Sequence, residues 1–156
     1  MRGLTYHPAV LAVGLGCERG TDPAEAEALV RGVLAEAGLA EASVALVASV
    51  ALKSDEPAVH SVADMLGVPA RFFEASRLES LTPRLANPSE VVFREVGCHG
   101  VAEAAALAAA GPDARLLVPK RKSARATCAV AMAPAPIDPD KAGRPRGRVA
   151  IVGIGP

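Results

Sequence analysis

Aromatic side chains are nearly missing from this chain: tryptophan is absent, tyrosine occurs once and phenylalanine three times, so rings make up 3% of its 156 residues. Stacking platforms for nucleic-acid bases are therefore not expected. Net charge is missing too, because seventeen basic and seventeen acidic residues cancel. That balance argues against a partner held by bulk charge, whether nucleic acid or membrane surface, and requires any anion site to be local. Cysteine is scarce. Cys17, Cys98 and Cys128 show no C-x-x-C spacing and leave one thiol over in any disulfide scheme, which suits a reducing cytoplasm. No apolar stretch is long enough for a membrane span, and MRGLTYHPAV has no basic region followed by an apolar one, so neither a span nor a secretory leader is expected.

What the chain does have is small aliphatic bulk. Apolar residues account for 51%, and with so few rings the core has to be built from Ala, Val and Leu, with Phe72, Phe73 and Phe93 as its large members. The organising stretch is AVLAVGLGCERGTDPAEAEALVRGVLAEAG, residues 9–38. Val10 to Val13 is apolar at consecutive positions, as in a strand covered on both faces. Gly14, Gly16 and Gly20 punctuate an expected loop after it. Asp22 reads as N-cap, Pro23 as the first helical residue and Glu25 as the third, a capping-box-like start, and Gly38 closes the helix. A loop between a central strand and a helix offers free N–H groups to an anion. The spacing G-x-G-x-x-x-G matches neither the dinucleotide fingerprint nor a Walker loop, which disfavours a nucleotide.

The pattern then repeats. Val44 to Val50 reads as a strand, Ser54 or Asp55 as the cap of a helix ending at Gly67, residues 68–73 as a third strand, and residues 76–81 as a short helix. Thr82 to Ser89 is turn-rich, with Asn87-Pro88 as a breaker, and Ser89 to Gly97 reads as a brief strand or extended approach. Gly97-Cys98-His99-Gly100 makes a second glycine turn before an alanine-rich helix, Val101 to Ala110, which with so little bulk must sit close to its neighbour. Residues 116–118 and 126–131 read as strands whose connection is too short for a crossover helix, so they pair antiparallel. The expected fold is a three-layer α/β/α sandwich with a mixed, mostly parallel sheet and an antiparallel C-terminal pair. Residues 1–133 form its domain. Residues 134–147, rich in proline, glycine and charge, read as a linker whose removal should hardly alter stability. Residues 148–156 read as the first strand and glycine turn of a truncated further domain.

Lys120, Arg121, Lys122 and Arg125 crowd one turn, either as a solvated hairpin tip or as part of a crevice with the Gly14–Gly20, Lys53 and Gly97–Gly100 turns outside the strand ends. Such a crevice suits a polycarboxylate. His99 is an acid or base, a ligand or a turn residue, and without a second group at metal spacing no metal is expected. Cys17 lies near a helix N-terminus that would lower a thiol pKa, yet no Cys-His-Asn order surrounds it.

GLGCERGTDPAEAEALV, VALVASVALKSDEPAV, LGVPARFF, VGCHGVAEAAAL and LLVPKRKSARATCAVAMAP, taken in order, resemble the successive motifs of the CobE/CbiG C-terminal domain family of cobalamin biosynthesis. The resemblance implies a cytoplasmic α/β/α domain acting on precorrin or cobalt-precorrin intermediates. It also implies shared positions at Gly14, Gly16, Cys17, Gly20 and Thr21, at Lys53, Asp55 and Glu56, at Gly97, Val101, Glu103 and Ala104, and at Lys120, Lys122 and Thr127. Full-length CbiG-type proteins resemble hydrolases that open the lactone of cobalt-precorrin-5A with loss of acetaldehyde, and they carry an additional N-terminal domain, whereas here only a few residues are expected before the first strand. The tail VAIVGIGP is similar to the opening of tetrapyrrole methyltransferases such as the precorrin-3B C17-methyltransferase. S-adenosylmethionine would belong to that downstream domain, and no cofactor is expected within this chain. Three readings stand. The domain binds a precorrin and assists its processing; or it is a self-sufficient hydrolase in which Glu103, Glu56 or His99 activates water; or it is a structural appendage docking a fused methyltransferase.

Overall fold

A computed structural model describes residues 7–96 and 100–145. The first strand, β1 (Leu11–Cys17), is buried at every position but its last, as a central strand covered on both faces requires. Its two faces differ in bulk. Leu11, Val13 and Leu15 enter a core shared with α1 (Pro23–Glu36) and α2 (Pro57–Leu66), whereas Ala12 joins a second core made largely of the alanines of α5 (Val101–Ala110). Gly14 and Gly16 continue the Ala12 face. A Cβ on Gly14 would stand 1.8 Å from the carbonyl oxygen of Ala102, and one on Gly16 would stand 2.7 Å from Thr127 Oγ1. The expected glycine loop is therefore shorter than the sequence suggested: Gly14 and Gly16 are strand residues, kept small by the close approach of α5 and β5 (Ala126–Met132).

Beside β1 on one side lie β2 (Val44–Val50) and β3 (Ala70–Phe73), both parallel to it, and on the other β5, antiparallel, followed by β4 (Arg115–Lys122). The order is β3-β2-β1-β5-β4. Only β5 runs against the rest, so the sheet is mixed and mostly parallel in direction. With α1 and α2 on one face and α5 with the short α3 (Ala75–Glu79) on the other, the three layers are complete.

The helix starts explain themselves locally. Asp22 Oδ1 accepts the N–H of Ala24 at 2.9 Å, Pro23 opens α1, and Gly38 follows its end at φ +70°. Glu25 does not reach back to complete a capping box. It accepts the Ser123 hydroxyl and, at 2.7 Å, the N–H of Arg125, tying α1 to the β4–β5 hairpin. Neither Ser54 nor Asp55 caps α2. Glu56 occupies the N-cap, and its carboxylate is engaged elsewhere. Residues 89–97, expected to be extended, contain instead a helix, α4 (Glu90–Val96), begun by Ser89, whose Oγ accepts the N–H of Val92 and whose carbonyl accepts that of Phe93.

The expected linker is packed over its described part. Ala133 and Ile137 donate their N–H groups to Val10 and Ala9, Phe72 and Arg144 exchange both backbone hydrogen bonds, and Ala142 is buried. Arg71, itself buried, donates to the carbonyls of Ala142 (2.7 Å), Gly143 (3.1 Å) and Asp140 (3.4 Å). One guanidinium thus satisfies a strap of irregular backbone that has no ladder of its own. Residues 148–156 lie outside the described residues, and so does the expected methyltransferase-like start.

Candidate functional site

The carboxyl ends of β1 and β2, the N-terminus of α5 and the β4–β5 hairpin surround a cleft of about 830 Å³, a volume typical of small-molecule sites. It lies outside the strand ends, where layered α/β sheets gather their ligands. Gly16 and Cys17 enter it from β1, Lys53 from the turn after β2, Val101, Ala102 and Glu103 from α5, and Lys120, Lys122 and Thr127 from the hairpin strands. Four segments distant in sequence therefore converge as expected.

Other expected positions stand behind the cleft rather than in it. Gly14 lies buried under α5. Gly20 adopts φ +77° and gives its N–H to Glu56 at 3.1 Å. Thr21, 2% exposed, donates its hydroxyl to the Glu18 carbonyl at 2.6 Å, so it holds the loop instead of facing the cleft. Asp55 is exposed and pairs with Arg19 at 2.8 Å. Gly97 and His99 fall outside the described residues.

Two buried carboxylates act as clasps. Glu56 accepts from Gly20 N and from Arg19 at 3.2 Å, joining the loop after β1 to the start of α2. Glu103 accepts from Ala86 N (2.9 Å), Asn87 N (2.8 Å), Asn87 Nδ2 (3.0 Å) and Lys120 N (2.8 Å). Burial works to raise its carboxyl, but those hydrogen bonds outweigh it and hold the group below the ordinary carboxylate range. A carboxylate so occupied is poorly placed to take a proton from water.

Cys17 is also quieter than its position suggested. Burial, with the charge of Glu56, pushes the thiol up, and the opposing influence of Lys53, Arg19 and Thr21 does not reverse the shift. Cys128, deeper in the core, is pushed up to about 12 by burial.

The lysines differ from the neighbouring arginines. Arg19 is held by Asp55, Glu56 and the Leu52 carbonyl, and Arg125 by Glu18 and the Arg19 carbonyl. Arg121 leaves the cleft for Glu36. Among the described residues no carboxylate pairs with Lys53, Lys120 or Lys122. The cleft also uses residues that sequence reasoning passed over: Asn87, Ser89 and Val92, from the segment read as turn-rich and then as a brief strand or extended approach. Their only advance signal was Ser89, a ready N-cap. Nothing local announced that Asn87 would be clasped by Glu103. Among the described residues no group of side chains is arranged to hold a metal ion, and no helix is long and apolar enough to cross a membrane.

Fold and cleft together define an α/β domain with a cationic crevice at its strand ends. The chain belongs to the family described as cobalamin synthesis G C-terminus, which matches residues 11–131. It is 51% identical over 123 residues to protein CobE of a Sinorhizobium species, covering 79% of this chain and 80% of that protein. It is 38% identical over 132 residues to the cobalt-precorrin-5A hydrolase of Priestia megaterium, covering 85% of this chain but 34% of the hydrolase. Among solved structures, CobE of the cobalamin pathway superposes with a TM-score of 0.72 at 37% identity, over 84% of this chain and 95% of that one. The cobalamin biosynthesis protein chiG of Agrobacterium tumefaciens gives 0.62 at 31%, over 80% and 99%. The chain is thus a cobalamin-biosynthesis protein related to CobE and to the cobalt-precorrin-5A hydrolase, about a third of whose length it spans.

Proposed function

We propose that this chain binds a precorrin or cobalt-precorrin intermediate in the cytoplasm through the carboxylates of its periphery and assists its processing. The observation that carries the reading is the set of lysines, Lys53, Lys120 and Lys122, that line the cleft without a carboxylate partner among the described residues. Acetate and propionate groups are matched by separate ammonium donors and by helix N–H groups. Apolar cleft residues, Val92, Val101 and Leu52, offer a surface to the macrocycle. Binding is favoured over self-sufficient hydrolysis because Glu103 and Glu56 are fully engaged as clasps. On this reading the intermediate passes to a precorrin methyltransferase, fused or neighbouring, which brings its own S-adenosylmethionine.

The test is anaerobic incubation of the purified chain with cobalt-precorrin-5A. A spectral shift without acetaldehyde is the expected result. Acetaldehyde release would establish the hydrolase instead, and the absence of both would return the domain to a docking appendage.

A further inference from the structure

Arg125 stands at the tip of the β4–β5 hairpin, in the cleft lining, with its side chain 46% exposed. An exposed arginine at a turn is ordinarily free to move, since holding so long a side chain in one rotamer costs entropy. Here the residue is held at both ends. Its N–H donates to Glu25 at 2.7 Å, and its carbonyl accepts from Glu18 N (3.0 Å) and from the Thr21 hydroxyl (3.3 Å). Its guanidinium donates from Nε to Glu18 at 3.1 Å and from Nη2 to the Arg19 carbonyl at 2.9 Å.

Those last two bonds use a single edge of the guanidinium, the Nε–Nη2 side. The group carries further donors in the same plane, and among the described residues no acceptor meets those at its Nη1–Nη2 end. That end is one of the two places where a carboxylate fits bidentately. Arg19 differs. Its Nη1 serves Asp55 and Glu56 together and its Nη2 the Leu52 carbonyl, so the corresponding end is already engaged. Arg121 turns away to Glu36.

We propose that the Nη1–Nη2 end of Arg125 is a pre-oriented fork for a ligand carboxylate, with Glu18 and Glu25 as the positioning residues that hold it. The cost of ordering the side chain falls on the unliganded chain, so the fork selects a planar carboxylate by geometry where Lys120 and Lys122 offer only point charges. A phosphate is less well served. The surrounding N–H groups of Glu18, Gly20, Thr21 and Arg125 are all given to protein acceptors, which leaves no nest of amides for a dianion. The inference deepens the cleft reading and rests on it for the tetrapyrrole, whose acetate and propionate arms supply such groups, while the fork itself requires only a carboxylate.

The experiment is NMR of the ¹⁵N-labelled chain, following the Arg125 guanidinium while propionate, and separately inorganic phosphate, is added at constant ionic strength. Propionate should shift Nη1 and Nη2 and slow their exchange with water, while Nε, already bonded to Glu18, moves little. Arg125→Lys keeps the charge but not the fork and should weaken propionate about tenfold. Arg121→Lys, the same exchange on a side chain turned to Glu36, should leave affinity unchanged. Glu18→Ala separates orientation from charge. Removing a carboxylate beside the cleft would tighten binding on charge alone, whereas losing the anchor at Nε should weaken it severalfold. Unmoved Nη signals, equal affinity in Arg125→Lys, unchanged or tighter binding in Glu18→Ala, or a preference for phosphate would each overturn the fork. Melting temperatures of the variants should stay near that of the parent, because the Arg125–Glu18 pair is exposed; where a variant does not fold, the guanidinium signals of the parent chain decide. Uroporphyrin titrated in parallel keeps the two ideas apart, since its failure to bind while propionate still moves Nη removes the tetrapyrrole reading and leaves the fork standing.

Discussion

Glu103 on α5 accepts the backbone N–H of Lys120 on β4 at 2.8 Å, so a carboxylate at the third position of a helix fixes where a lysine of the neighbouring hairpin stands in the cleft. The same group holds Ala86 and Asn87 from the opposite side. Glu103→Gln keeps the shape but turns an amide NH₂ toward donors, and should cost roughly 1–3 kcal/mol of stability. The pH dependence follows in sign. Because the folded carboxyl is held below its ordinary value, its contribution is present above the unfolded pKa and is lost as pH falls through the folded one. Acid unfolding of Glu103→Gln should therefore lose part of its slope below about pH 4.5. Parallel acid limbs would mean that the clasp is absent in solution.

Gly14 and Gly20 are both glycine for physical reasons, but different ones. Gly14→Ala drives a methyl into the Ala102 carbonyl region of α5, where backbone has to move, and should cost at least about 1–3 kcal/mol by overpacking. Gly20→Ala meets no atom but must adopt φ +77°, at roughly 1 kcal/mol. Chemical denaturation ranks the two. A Gly20 variant worse than Gly14→Ala would contradict the packing account.

Much of this was legible in the sequence because it is local or periodic. The apolar strands, the Asp22-Pro23 start, the closing glycines and the antiparallel pair all follow from short-range rules. The convergence of Gly16, Lys53, Lys120 and Thr127 followed from the tendency of such sheets to bind at strand ends. What stayed hidden depends on distant partners. Glu25, Glu56 and Glu103 look like ordinary first-turn acids, and their bonds to Ser123, Arg19 and Asn87 cross long stretches of chain. Gly14 looks like a ligand loop until the approach of α5 is known.

The strap at residues 134–145 reverses the expectation drawn from its composition. Arg71→Ala leaves the carbonyls of Ala142 and Gly143 short of their donor and should destabilise the domain by roughly 1.5–3 kcal/mol. A chain cut after residue 135 also loses the Phe72–Arg144 bridge and the burial of Ala142, so its melting temperature should fall further than that of Arg71→Ala. If both melt like the parent chain, the strap is a free tether and contributes nothing to the domain.

Cys17 offers a direct reading of the cleft. Its thiol is pushed up by burial and the Glu56 charge, so the thiolate fraction near neutrality is small and alkylation by iodoacetamide should be slower than for an unstructured thiol. The rate should climb with pH well past the range in which a free cysteine has levelled off. Because Cys17 lines the same cleft as Lys53 and Val101, a bound tetrapyrrole polycarboxylate should protect it. Peptide-resolved mass spectrometry separates it from Cys128, which is buried away from the cleft lining and should stay unmodified whether or not ligand is present. Fast alkylation of Cys17 at neutral pH would show an activated thiol and reopen a nucleophilic role. Slow alkylation with no protection, under conditions where the ligand is known to be bound, would move the ligand to another edge of the sheet.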